Sequence, residues 1–365
     1  MIITIPRVDL VRELEVVEKI VGRKQTIPIL GNVLVQADGA GIALSATDLE
    51  VSVRSRCAIS EIPVPGAFTL PGKRLLDLAR TLPDGDVRLD ASDVAKVVLA
   101  AAGYKVALQT LPAANFPTIP RPADGVAAAA IPRAVLRDLI GRTRFAVTTK
   151  DTRYFLNGTL LEIGEGLARM VGTDGHRLAK AETAVAVTAP KVSFVIPKVT
   201  LDALWPLLDG DGADVAFSAG ESHLFFDFGD RVLVSRLMSG TFPNYSRVIP
   251  AELPVKLTVG RVALAEALRR ALLVGTDRKA TLTLTADALL VAAQNVEVGS
   301  ADERITAQYA GPEIRVAVNA EYVSDFADVA GAEQVTVEAK DDISQMVWRP
   351  LDASGYVYVV MPMRV

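Results

Sequence analysis

An aspartate and a histidine two residues apart, in Thr173-Asp174-Gly175-His176-Arg177, are the plainest candidates for acid-base chemistry in the chain. On a strand both side chains would leave one face, as a general acid and its base require. Yet no nucleophile is tied to them by sequence, and Thr47-Asp48 repeats the first pair with no histidine after it. A structural or partner-binding histidine is the simpler reading. Gly66 to Lys73 imitates a phosphate loop, but five residues separate its glycines, and Arg74 stands where a serine or threonine would hold magnesium. Asp209-Gly210-Asp211-Gly212-Ala213-Asp214 reads as a turn, because the late bidentate glutamate of a calcium loop does not follow. Dinucleotide, zinc-protease and serine-hydrolase signatures are missing, and two histidines with one cysteine leave little for a soft metal. No cofactor is implied. At the far end Tyr356 to Val360 reads as a strand stopped by Pro362, and Met361 and Met363 are either adaptable thioethers near solvent, suited to apolar peptides, or simply the end of an ordinary core strand.

The elements that must position these residues recur. Ile5-Pro6-Arg7 returns as Ile131-Pro132-Arg133, Leu30 before Gly31-Asn32 as Leu156 before Asn157-Gly158, and Thr47-Asp48 as Thr173-Asp174. Pro71 returns as Pro197 and Phe116-Pro117 as Phe242-Pro243, every offset being 126 residues. A weaker copy starts at Val259-Gly260-Arg261. Three domains follow, 1–123, 124–250 and 251–365, with boundaries in the turn-rich stretches Pro117 to Pro122 and Pro250 to Pro254.

Within each third the pattern is helix, strands, helix, strands. Leu10, Leu14, Val17 and Val21 form one helical stripe, and Leu75, Leu78, Ala79 and Leu82 another. Period-two alternation marks strands at 33–37 and 51–54, and Gly229-Asp230 joins Leu224 to Phe228 and Val232 to Leu237 in a hairpin. The expected class is α+β, two helices per domain packed on antiparallel sheets.

Composition sets the outer limits. The chain has 365 residues, half of them hydrophobic, and a net charge of -4. Its longest apolar runs, such as Val97 to Ala102, are six residues long, far short of the roughly 20 that span a bilayer. Pro6 and Arg7 break any N-terminal apolar core, so no secretory signal is expected, and the lone Cys57 fits a reducing cytoplasm. Acidity argues against gripping nucleic acid by bulk charge. Six helical windows, 7–24, 73–82, 133–144, 198–208, 261–270 and 321–331, hold 16 basic and 11 acidic residues, however, which leaves -9 elsewhere. Solvated surface helices are the simpler account of that excess, and a basic helical face toward phosphate is the sharper one.

Several longer motifs carry a resemblance: Thr26 to Asn32, Thr47-Asp48-Leu49-Glu50, Thr110 to Pro117, Arg153 to Gly158, Thr173 to Leu178 and Val360 to Arg364. Over essentially its full length the chain resembles the bacterial DNA polymerase III β subunit family, the sliding clamps. That resemblance implies a non-catalytic processivity factor: a homodimeric ring of three similar domains per chain, helices lining a central hole and sheets forming the rim. Such a ring encircles double-stranded DNA without reading sequence, since enclosure replaces tight phosphate contact. The partners implied are the DNA polymerase III alpha subunit, the clamp loader, and other polymerases and repair proteins, all using short linear motifs.

Carried over by motif, the resemblance implies a peptide site built from Leu156, Thr173, Gly175, His176, Arg177, Leu178, Pro243, Arg247, Val248, Asn319, Tyr322, Val360, Met361, Pro362 and Met363. It implies phosphate contacts at Lys24, Lys73, Arg74, Lys150 and Lys198, and ring closure between the strand around Val106 and Leu108 and the helix end at Leu273 and Val274. Ser344 to Pro350, with Gln345, Met346, Trp348 and Arg349, is bulkier than the family pattern, and Lys24-Gln25 replaces a commoner arginine-containing turn. Two rival readings are a hydrolase using Asp174 and His176 and a clamp-like paralogue given to a specialised polymerase or to scaffolding.

Overall fold

The computed structural model describes the chain apart from residues 22–25, 39–40, 58–64, 123–128, 150, 188–190, 353 and 365. Among the described residues the elements fall into three successions of one pattern. The first is β1 (Ile2–Pro6), α1 (Arg7–Glu18), β2 (Asn32–Asp38), β3 (Gly41–Thr47), β4 (Val51–Cys57), β5 (Gly66–Pro71), α2 (Gly72–Thr81), β6 (Asp86–Asp90), β7 (Lys96–Ala101) and β8 (Tyr104–Gln109). The second is β9 (Ala129–Ile131), α3 (Arg133–Thr143), β10 (Gly158–Gly164), β11 (Leu167–Thr173), β12 (Arg177–Ala184), β13 (Val192–Pro197), α4 (Lys198–Leu204), β14 (Val215–Ala219), β15 (His223–Asp227) and β16 (Arg231–Arg236). The third is β17 (Val255–Gly260), α5 (Arg261–Val274), β18 (Lys279–Thr285), β19 (Ala288–Asn295), β20 (Gly299–Gln308), β21 (Ile314–Asn319), α6 (Ala320–Val329), β22 (Gln334–Ala339), β23 (Met346–Pro350) and β24 (Tyr356–Val360). The 126-residue offset survives at strand resolution, since β2 to β5 and β10 to β13 each begin that far apart.

The chain forms two compact units that do not follow the repeats. One comprises Met1–Arg133 with Asp202–Leu237, the other Ala134–Leu201 with Met238–Val365. In the first unit β1-β6-β7-β8 form one sheet and β5-β2-β3-β4-β16-β15-β14-β9 another. The second unit holds a single sheet in the order β13-β10-β11-β12-β24-β23-β22-β17-β20-β19-β18-β21. In both units the last strand of one repeat completes the sheet of the repeat before it: β16 lies antiparallel to β4, and β24 to β12. The predicted hairpin is β15 and β16, closed by the Phe228 N–H donating to Arg231 O at 2.8 Å.

Helices bury the stripes their spacing predicts. Leu10, Leu14 and Val17 of α1 are buried, as are Leu75 and Ala79 of α2, where Leu76 is buried in place of the expected Leu78, which is half-buried; Val21 and Leu82 lie beyond the helix ends, and β3 and β10 are buried along their whole length. Charge differs from expectation. Within their observed bounds the six helices carry 12 basic and 11 acidic residues. The expected excess came from Lys19, Arg23, Lys24 and Arg144: Lys19 caps α1, where the Ile20 N–H bonds to Val17 O in a tightened last turn, Arg144 follows α3, and the other two lie outside the described residues. No described helix is long and apolar enough to cross a membrane.

Candidate functional site

The Thr-Asp-Gly-His-Arg segment is the turn that joins β11 to β12 in the second unit. Thr173 Oγ1 donates to Arg177 O at 2.7 Å and accepts from Gly175 N. Asp174 Oδ1 accepts the backbone N–H groups of His176 and Arg177, both at 3.0 Å, which is the local bonding that makes an aspartate a turn former. Gly175 has φ +87°, a left-handed conformation natural to glycine. The Asp174 carboxylate is therefore engaged by the turn and by Arg177, and the His176 side chain is exposed beside it.

Arg177 locks this turn to its surroundings. Its guanidinium donates to Asp174 Oδ2 at 3.0 Å, to Asp325 Oδ2 at 2.6 Å and to Phe145 O at 2.6 Å, and it lies over the Tyr322 ring, 4.1 Å from the centroid. Burial alone would lower its pKa, but Tyr358, Asp325 and Asp174 outweigh that and hold it above the ordinary arginine value. Arg177 is a fixed charge. Beneath it Phe326 stacks on Tyr358 at 5.2 Å, and Trp348 packs against Phe326.

The C-terminal strand supplies the next wall. β24 pairs with β12 so that Val359 lies opposite Leu178 and Val360 opposite Arg177. Beyond it the Met361 N–H donates to His176 O at 2.9 Å and the Met363 N–H to Ala317 O at 2.8 Å, so backbone bonds seat the tail. A third wall is the segment after β16, where Phe242, Tyr245 and Ile249 pack on the cluster formed by Leu160, Leu178, Val357 and Val359.

These walls enclose a cavity of about 450 Å³. Ten residues expected at the peptide site line it: Leu156, Thr173, Gly175, His176, Arg177, Leu178, Pro243, Arg247, Val248 and Met361. Five expected there do not. Val360 is fully buried, because strand alternation turns Val359 to the cavity instead. Asn319 caps α6 by accepting from Glu321 N, Tyr322 lies behind Arg177, and Pro362 and Met363 sit farther along the tail.

Arg153, Tyr245 and Val359 also line the cavity without belonging to the expected set, as does Gln345 of the bulky segment Ser344 to Pro350. Arg153 lies in the motif Arg153 to Gly158, whereas Val359 stands in the run Tyr356 to Val360, which is apolar at every position and so gives no sign of which face meets the cavity. Of the bulky segment Ser344 to Pro350, Met346 and Trp348 are fully buried, and Gln345 reaches the cavity.

The other expected residues fall elsewhere. Lys73 and Arg74 are exposed in the first turn of α2, and Lys198 opens α4. Lys24 and Lys150 lie outside the described residues. Val106 and Leu108 lie on β8, an edge strand, and Leu273 near the end of α5 is 81% exposed with Val274 beside it. Among the described residues no group of three or more His, Cys, Asp or Glu is placed to hold a metal ion.

Comparison with known proteins gives three adjoining matches: the N-terminal domain of the DNA polymerase III beta subunit over residues 1–120, its central domain over 130–244, and its C-terminal domain over 246–364. The chain is 35% identical to the beta sliding clamp of Pseudomonas aeruginosa over 366 residues, covering 99% of both. It is 31% identical to that of Escherichia coli over 363 residues, again covering 99% of both. Among solved structures, the Pseudomonas aeruginosa sliding clamp bound to griselimycin superposes with a TM-score of 0.94 at 33% identity, and the Caulobacter crescentus clamp with 0.91 at 33%, each over the whole of both chains.

Proposed function

The chain belongs to the DNA polymerase III beta subunit family, the bacterial beta sliding clamps, and from that membership we propose which of its residues do the work. It is a DNA sliding clamp, a non-catalytic processivity factor that tethers polymerases and repair proteins. The second unit's cavity receives their short linear motifs. What carries this reading is the union of the Thr173 to Leu178 turn, the loop holding Pro243, Arg247 and Val248, and the C-terminal strand and Met361 around one cleft. A largely apolar cleft of this volume with a few polar anchors suits a short hydrophobic peptide. The DNA polymerase III alpha subunit and the clamp loader are the first two users proposed. Asn319, Tyr322, Val360, Pro362 and Met363 support its walls from behind and along the tail.

Two copies close into a ring around duplex DNA. Support comes from the repeat: β16 completes the sheet of the repeat before it, β24 does likewise, and β8 is the same strand of the first repeat with no preceding repeat in its own chain. Its counterpart is β20 of a second copy, paired with β17 only near its C-terminal end, so Val106 and Leu108 meet Leu273 and Val274 there. Lys73, Arg74 and Lys198, with Lys24 and Lys150, serve as phosphate contacts. The domain limits proposed are 1–123, 124–250 and 251–365, supported in number and order by the three family matches, the last of which begins at 246, and the lone Cys57 accords with the cytoplasm.

The test is topological. Loaded onto nicked circular DNA, the protein should stay bound through gel filtration and be lost once the circle is linearised. Equal retention on both would overturn enclosure.

A further inference from the structure

A second cavity, of about 840 Å³, lies in the first unit, between the loop Ala113 to Pro122 and the strands β2, β3, β4 and β16. The repeat shows what differs there. In the second unit Glu162, Arg169 and Glu182 stand in one cross-strand row. Arg169 bridges the two carboxylates at 2.9 and 2.6 Å, and Tyr245 O–H donates to Glu162 at 2.8 Å. Lys180 joins through Glu182. The space over the sheet is thus filled by an aromatic ring and a network of paired charges, which Lys191 joins through Glu162.

At the same offset of 126 the first unit carries Gln36, Ala43 and Arg56 in that row, with Arg54 for Lys180 and Ile119 for Tyr245. Ala43 and Ile119 remove the bridging guanidinium and the ring, and Gln36, Arg54, Arg56 and Ile119 of the replacements line the cavity. The replacements also remove both carboxylates, Gln36 standing for Glu162 and Arg56 for Glu182. Arg54, Arg56 and Arg121 are among its lining residues, which include no aspartate or glutamate, while Leu34, Phe116, Ile119, Val232 and Val234 make its apolar part. Arg54 and Arg56 keep interactions within the chain, and the exposed Arg121 at the rim is the group best placed to meet an incoming anion.

We propose that this cavity binds a short peptide segment in which an aromatic side chain is flanked by carboxylates, the chemistry that Tyr245, Glu162 and Glu182 supply to the corresponding place in the second unit. The aromatic ring would take the apolar part left by Ile119, and the carboxylates the arginine side. The site is separate from the second unit's cleft and does not depend on the reading given to that cleft.

The experiment is methyl-resolved NMR on the full-length protein, labelled at Ile, Leu and Val, titrated with the probe Ac-Gly-Glu-Tyr-Glu-Gly-NH2. Saturable shifts are expected at Leu34, Ile119, Val232 and Val234. Affinity should fall at least tenfold for Arg121→Glu, a change on an exposed side chain, and for the neutral probe with glutamines in place of glutamates. The pair Ala43→Arg and Ile119→Tyr should abolish the shifts by refilling the space. No shift, shifts confined to Leu156, Leu178, Val248 and Val359, equal affinity for the neutral probe, or tighter occupation of the same methyls by a thymidine oligonucleotide would each overturn the proposal.

Discussion

Leu49 holds the backbone conformation that glycine holds at 175, with φ of +77° against +87°. Both turns are tied alike: the Leu49 N–H donates to Thr47 Oγ1 at 3.0 Å, and those of Glu50 and Val51 donate to Asp48 Oδ1. A left-handed leucine carries about 1–2 kcal/mol of strain, partly offset by the smaller entropy it loses on folding. Leu49→Gly should therefore raise stability by up to about 1 kcal/mol, seen as a higher urea midpoint, and a lowered midpoint would refute the strain. Gly175→Leu should do the reverse and weaken peptide binding, because its Cβ would lie 3.1 Å from an Arg153 guanidinium nitrogen. The paired Thr-Asp turns were legible as a repeat, and Asp48 without a following histidine already spoke against catalysis. The clamp on Arg177 was not legible, since Asp325 is 148 residues away.

Along one helix, α1 shows the next boundary of legibility. Its apolar stripe could be read from spacing, but Glu13 lies fully buried on the same face, hydrogen-bonded by Ser55 and by Arg231 from the second repeat. Burial pushes the Glu13 pKa up, yet bonds from Arg231, Ser55 and Arg12 outweigh it and hold it below the ordinary glutamate value. A depressed folded pKa means stability that is present above the unfolded value of about 4.3 and lost as pH falls through the folded one. Between about pH 5 and pH 3 the wild-type urea midpoint should fall more steeply than that of Glu13→Gln, and parallel slopes would remove Glu13 from acid unfolding. The terminal strand was equally visible, but its inward face was not, because Tyr356 to Val360 is apolar at every position and hides its period. Deleting Met361 to Val365 removes the bonds to His176 O and Ala317 O. It should lower affinity for a polymerase-derived peptide at least tenfold, measured by fluorescence anisotropy, with the dimer mass unchanged.

Across the whole chain the threefold repeat was readable because strand lengths and turns were kept at one offset, whereas the compact units were not, because sheets cross repeat boundaries through β16 and β24. The same crossing makes the closing interface a consequence of topology. Each internal junction is an antiparallel strand pair, so β8 and β20 of two copies should form a third kind of junction with the same backbone bonding and its own apolar plug. Leu273, 81% exposed in the single chain, is the residue proposed for that plug. Burying a leucine is worth roughly 1.5–3 kcal/mol, so replacing it by a charge should weaken dimerisation by at least about tenfold. Leu273→Asp should shift the dimer-monomer midpoint in a sedimentation dilution series and shorten retention on nicked circular DNA, while peptide affinity at the second unit's cleft stays as it was. An unaltered midpoint would put closure on another edge and leave Leu273 exposed in the assembled ring.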